Sequence, residues 1–291
     1  MIRQRLRLSG GTEVSFITAG EASRPAVLLL HGSPSSARMF REVIPELSQA
    51  AYVIAPDLPG FGESDVLPTA SFPLFGQAIL ELLDHLAIGQ RYIYLHDFGA
   101  VVDFHIAIQA PERVLGLIVQ NANAHRTGLG PQWAGTRAYW SDPSPENEAA
   151  ATAHLTFKGT RDQYLRRRPA GRGRPHPARN LGGGLAGDAP AWPDGDTASA
   201  HRGLCQPCRP VRPGRRVPAS WQPPSPMLWG RHDAFFDLAE ILSWMQALPR
   251  MEAHIFDAGH LLLETHAAAT ASLMLDFIAG TQREGEDNGR A

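Results

Sequence analysis

Lysine is almost missing from this chain. Of the 27 lysines and arginines, only Lys158 is a lysine. Cysteine is nearly as scarce. Cys205 and Cys208 cannot make the disulfide framework that holds small secreted domains together. They form one Cys-x-x-Cys pair, and a structural zinc site needs a second pair, so no metal is expected. No apolar run approaches the roughly 20 residues that span a bilayer. Met1-Ile2-Arg3-Gln4-Arg5 is not followed by an apolar signal core. A net charge of −2 gives no long-range pull toward nucleic acid or an anionic membrane surface. These absences lead us to expect a cytoplasmic protein with no cofactor and no nucleic-acid or membrane partner. Its oligomeric state is left open.

What is present is alternation. Arg5 to Leu8 and Glu13 to Thr18 read as a hairpin turning at Gly10-Gly11. Ala26 to Leu30 is a continuous apolar run, the pattern of a strand buried on both faces. Tyr52–Ala55, Tyr92–His96, Val114–Val119, Met227–Trp229 and Ala253–Phe256 complete eight expected strands. Between them, helices are expected at Ser36–Ala50, Phe75–Ala87, Val101–Gln109, Glu146–Leu155, Leu238–Leu248 and Leu261–Ile278. This order predicts a mostly parallel sheet with helices on both faces.

The chemistry concentrates at strand ends, where α/β sheets place their sites. Leu95-His96-Asp97-Phe98-Gly99-Ala100 joins an apolar strand to a helix. This is the form of a nucleophile elbow, carrying Asp where the better-known form carries Ser. A plain Asp helix cap is the alternative. A carboxylate is a poor nucleophile at an acyl carbon, because it is expelled again. At a saturated carbon it displaces a leaving group and forms an alkyl ester. His31-Gly32-Ser33-Pro34 follows an earlier strand and can supply a second backbone N–H for an oxyanion. Asp57 to Ser64, rich in Gly and Pro, reads as scaffold. Asp233 and His260 each follow a late strand, giving the chain order nucleophile, acid, base.

Together these motifs resemble the α/β-hydrolase superfamily, and within it the epoxide hydrolases and haloalkane dehalogenases, whose elbow nucleophile is Asp. The resemblance covers residues 1 to about 124 and about 222 to 282. It implies an α/β-hydrolase core in two parts, 1–124 and 222–282, a helical cap inserted at 125–221, and a polar, frayed tail at 283–291. It implies Asp97 as nucleophile, His260 as the base that activates water, and Asp233 as the residue orienting His260. The backbone N–H groups of Ser33 and Phe98 would hold the oxyanion. His31 and His96 are read as hydrogen-bonding supports, and His232 as a loop residue. Asp103 and His105 have no assigned role. The implied partners are a small apolar organic substrate and water.

Three departures matter. Leu95 stands two residues before the nucleophile, where a small residue is usual, and implies repacking or strain. Phe98 and Ser33 stand where haloalkane dehalogenases typically place a Trp and an Asn around the halide, and Phe has no side-chain donor. Phe98 also excludes the Arg that a fluoroacetate-dehalogenase-like enzyme would need. An epoxide hydrolase needs a cap acid instead, usually Tyr. Tyr139 and Tyr164 are the candidates.

The third departure is the cap. From Arg166 to Ser220 there is no Ile, Phe, Tyr, Met, Lys or Glu, and Arg, Pro and Gly dominate. Taken at face value this composition is disordered. We expect instead that it is translated out of frame. The dearth of lysine suggests a GC-rich gene. Reading one base later, with free choice among synonymous codons, permits a globular sequence with helical spacing, acids and two tyrosines. A third reading follows, a hydrolase homologue impaired by a disrupted cap.

Overall fold

The computed structural model describes residues 1–153, 156 and 221–288. The eight strands form one sheet: β1 (Ile2–Arg7), β2 (Glu13–Ala19), β3 (Ala26–Leu29), β4 (Tyr52–Pro56), β5 (Arg91–His96), β6 (Val114–Gln120), β7 (Ser225–Gly230) and β8 (Met251–Phe256). Their order is β1-β2-β4-β3-β5-β6-β7-β8. β2 runs antiparallel to β1 and β4, and every other neighbouring pair is parallel. The expected starting hairpin is present, and Gly11 takes the left-handed φ of +86° that its turn requires.

The continuous apolar runs are explained by burial on both faces. Val27 and Leu29 of β3 join one core cluster with Phe40, Ile44 and Met274. Leu28 and Leu30 join another with Phe75, Ile79 and Val102. Each fully buried Leu contributes about 1.5–3 kcal/mol relative to exposure. A third cluster joins Ile93, Leu95, Val119 and Trp229. Leu95 is thus fully buried on the face of the sheet away from the first cluster, and its bulk is taken up by packing.

The helices are α1 (Ile44–Leu47), α2 (Phe72–His85), α3 (Asp97–Gln109), α4 (Ala134–Ser141), α5 (Pro145–Thr152), α6 (Ala239–Ala247) and α7 (Leu263–Asn288). α1 and α7 cover one face. α2, α3 and α6 cover the other. The single helix expected at Ser36–Ala50 is corrected. It is a 3₁₀ turn at Ala37–Phe40, capped by Ser36, followed by the one-turn α1. Pro45 is the reason: it has no N–H and fits only the first turn of a helix. α7 also differs from expectation. It continues past Ile278 to Asn288, so the segment expected to fray from Arg283 is helical, and Arg250 bonds Glu284 there at 2.6 Å.

Of the segment expected to form the cap, α4 and α5 are described. α5 is shorter than the expected Glu146–Leu155 and is capped by Ser144. Tyr164, the Cys205/Cys208 pair and the expected out-of-frame stretch at 166–220 lie outside the described residues.

Candidate active site

The site is built where β5 turns into α3. Asp97 opens α3 with a left-handed φ of +47°. That backbone is strained for a non-glycine residue and lifts the side chain above the sheet edge. Two glycines permit the turn. A Cβ on Gly99 would lie 2.7 Å from the carbonyl oxygens of Leu30 and His31. A Cβ on Gly32 would lie 2.4 Å from that of Asp97. The Asp97 Oδ1 accepts the Ser33 N–H at 2.7 Å. This loop N–H is therefore aimed at the carboxylate. Phe98 follows in the first turn of α3, its ring edge-on to Phe72 at 5.6 Å.

Asp233 and His260 come to the same place from the ends of β7 and β8. His260 Nδ1 donates to Asp233 Oδ2 at 2.8 Å, so its Nε2 lone pair points outward. That Nε2 lies 3.6 Å from Asp97 Oδ2, too far for a hydrogen bond. The Asp233 side chain is fully buried. Burial alone would depress the His260 pKa, but the charge and hydrogen bond of Asp233, with Asp97 beyond, outweigh it. The net shift is upward from the ordinary histidine value.

A second layer of polar residues holds Asp233 and His260, and the sequence patterns did not single it out. Asn121, at φ +39° just after β6, donates to Asp233 Oδ2 at 2.9 Å. Its amide also exchanges two bonds with the Gly230 backbone, at 2.9 and 3.2 Å. The other oxygen, Asp233 Oδ1, accepts the Phe235 N–H at 2.7 Å. Gln120 donates to the His260 carbonyl at 3.0 Å and accepts from the buried Tyr94 hydroxyl. Both residues sit at the carboxyl end of a buried strand, and that position was the signal available for them.

The two supporting histidines behave as expected. His31 Nε2 accepts the Leu58 N–H at 2.9 Å, so Nδ1 carries the proton and donates to Gly32 O at 2.8 Å. Burial lowers its pKa and keeps it neutral. His96 donates from Nδ1 to Gln120 O at 3.0 Å, and its ring lies 4.8 Å from that of His260. Burial first, then the neighbouring His260, push its pKa down to about 3. His232 contacts the exposed Asp257. Asp103 is buried on α3, where desolvation raises its pKa well above the carboxylate range.

Aromatic rings wall His260. Phe235 and Phe236 lie 5.3 and 5.5 Å from the His260 ring, and Trp133 packs on Phe236. Tyr139 is half-buried on α4, and among the described contacts none links it to Asp97 or His260. A cleft of about 450 Å³ lined by Asp84, Ile88, Gly89, Glu112 and Arg113 opens at the other end of β5. It shares no residue with Asp97, Asp233 or His260.

A profile of the alpha/beta hydrolase fold family matches residues 25–267. The chain belongs to that family. An uncharacterized hydrolase of Saccharomyces cerevisiae is 39% identical over 146 residues, 48% of this chain and 50% of the yeast protein. Epoxide hydrolase 2 of Siraitia grosvenorii is 36% identical over 117 residues, 38% of this chain and 36% of that protein. The chain thus spans half or less of the length of these curated relatives. The crystal structure of haloalkane dehalogenase DbeA from Bradyrhizobium elkani superposes with a TM-score of 0.78 at 20% identity, covering 97% of this chain and 99% of that one. At that identity the likeness speaks for the fold. Among the described residues, no helix is long and apolar enough to cross a membrane.

Proposed function

We propose that this member of the family is a hydrolase acting at saturated carbon through an alkyl ester on Asp97, of epoxide-hydrolase type. One observation carries the reading. A carboxylate, not a hydroxyl, stands at the elbow, with Oδ1 on the Ser33 N–H and Oδ2 facing His260 Nε2 at 3.6 Å. Oδ2 attacks the electrophilic carbon. The carbon–oxygen bond of the epoxide breaks, and the ring oxygen takes a proton from a cap acid, for which Tyr139 and Tyr164 are the candidates. In the second step His260 Nε2 takes a proton from water. The hydroxide adds to the Asp97 carboxyl carbon, and the Ser33 and Phe98 N–H groups hold the oxyanion. Collapse expels the alkoxide, which takes the proton from His260 and leaves as the diol, and the proton remaining on the Asp97 carboxyl passes through water to the cap tyrosinate, restoring both groups. Asp233, fixed by Asn121 and the Phe235 N–H, stabilises the imidazolium meanwhile. The 3.6 Å gap suits this order of events, because His260 must reach a water rather than hold Asp97.

A haloalkane dehalogenase reading has its own support. Among the described residues the buried indole N–H groups of Trp133 and Trp140 have no acceptor, and the two rings pack together beside Phe236. Such donors suit a departing halide. Turnover of styrene oxide against short haloalkanes separates the readings. Diol without halide release supports the epoxide reading. Halide release without diol supports the second. Turnover of neither class points to the impaired homologue. The apolar walls at Phe98, Phe235 and Phe236 accord with a small apolar substrate, water being the second reactant.

A further inference from the structure

The two edges of the sheet are treated differently. An edge strand offers unpaired backbone groups to any strand that approaches, and proteins commonly guard it with charge, proline or bulges. β1 is guarded: Arg3, Arg5 and Arg7 form ion pairs with Asp57, Glu63 and Glu13 along it. β8, at the opposite edge, has no proline, an unbroken register with β7, and a single exposed acid, Glu252, in place of a row of ion pairs. Among the described residues no strand pairs with its outer side.

Its outward groups can be assigned. Phe256 O accepts the Arg231 N–H at 3.0 Å, so Phe256 turns its backbone toward β7. By strand alternation, Ala253 and Ile255 turn theirs outward. The sequence Met251-Glu252-Ala253-His254-Ile255 is chemically self-complementary about Ala253. An antiparallel pairing of two copies centred there sets Ala253 opposite Ala253 and Met251 opposite Ile255. It sets Glu252 opposite His254 on both sides of the axis. Those last pairs fall at the non-hydrogen-bonded positions, where side chains approach most closely. Within one copy these two side chains already meet at 3.2 Å.

The flank of α6 continues the surface. Trp244 faces Phe104 of α3 in a stacked contact. Leu238, Leu242 and Met245 occupy the other flank and are 45, 64 and 42% exposed. Ile255 is 57% exposed, on the same sheet face as the core residue Met251. A single strand pair is too small for a stable interface of roughly 800 Å² per partner, and this flank adds exposed apolar surface beside it.

We propose that the β8 edge and the outer flank of α6 form a two-fold interface with a second copy of this chain, joining two eight-stranded sheets into one. The occupant is another copy because the edge complements itself in charge and apolarity about one residue. The interface is isologous, so it closes as a dimer.

The test is light scattering of the full chain across a dilution series. The expected mass is twice the 31.6 kDa of one chain. Ala253→Pro removes an outward N–H that β7 does not use, and Ile255→Lys charges the apolar pair. Each is expected to yield monomer with an unchanged circular dichroism spectrum. Glu252→Lys should weaken the dimer at least tenfold, and adding His254→Glu should restore it, since the exchanged pair is again complementary. A monomeric wild type overturns the proposal. So does a dimer that survives both Ala253→Pro and Ile255→Lys, or a charge exchange that fails to rescue.

Discussion

His96 gives the account its sharpest stability prediction. Burial and His260 hold its pKa near 3 in the folded protein, against about 6.5 unfolded. The folded state therefore refuses a proton that the unfolded chain accepts. Stability is unaffected above the unfolded pKa. It is lost as pH falls below 6.5, at up to about 1.4 kcal/mol per pH unit, until the folded group titrates near pH 3. Between pH 7.5 and 5.0 the loss from this residue works out at about 2 kcal/mol. His96→Asn removes the titration while leaving an amide that can donate to Gln120 O as Nδ1 does at 3.0 Å. The assay is urea unfolding of both proteins at the two pH values. The variant should lose about 2 kcal/mol less than the wild type on acidification, whatever its absolute stability. Losses equal within 0.5 kcal/mol or so would refute the reasoning, because a two-state fit resolves that difference.

Three further outcomes are expected. Asn121→Ala removes a donor to Asp233 and both side-chain bonds to Gly230; kcat should fall about 10–100-fold, as for loss of an orienting hydrogen bond worth about 1.5–3 kcal/mol. Glu240 is fully buried and accepts from Ala124 N, His125 N, His125 Nδ1 and Thr127 Oγ1, tying the segment after β6 to α6; Glu240→Ala should cost about 1.5–3 kcal/mol in denaturant unfolding, since it removes bonds to a charged acceptor while the donors, on exposed and half-buried residues, regain water. The pH profile of the hydrolytic step should show one acid limb with a midpoint above the ordinary histidine value, because His260 must be neutral to accept a proton and its pKa is raised. The same upward shift contributes stability below the unfolded pKa that is lost as pH rises through the folded one. A profile flat from pH 5 to 8 would remove His260 from its proposed role.

Most of the core was legible because its signals are local. Runs such as Ala26–Leu30 can be buried on both sides only inside a covered sheet, and the eight strands followed from them. Asp97, Asp233 and His260 were legible as residues at strand ends. The structure brings all three together. What was not legible depended on partners far along the chain. Asn121 reaches Asp233 across 112 positions, and no periodicity announces such a bond. The broken segment at 37–47 turned on one proline inside an otherwise helical pattern. The bulk of Leu95 looked like a defect in sequence, and became ordinary once its cluster with Val119 and Trp229 was visible. The out-of-frame expectation for 166–220 is decided at the gene: compensating indels relative to close homologous genes support it, and an uninterrupted shared frame sinks it.

The central claim is that Asp97 forms a covalent ester. It is tested most directly by a single turnover in ¹⁸O-water with enzyme in excess, followed by mass analysis of the peptide containing Asp97. Water that attacks the ester carbon leaves its oxygen in the enzyme, so Asp97 is predicted to gain one ¹⁸O, and the oxygen given to the substrate by the enzyme stays unlabelled. An unlabelled Asp97 peptide after complete turnover, with ¹⁸O delivered straight to the product, would contradict the account.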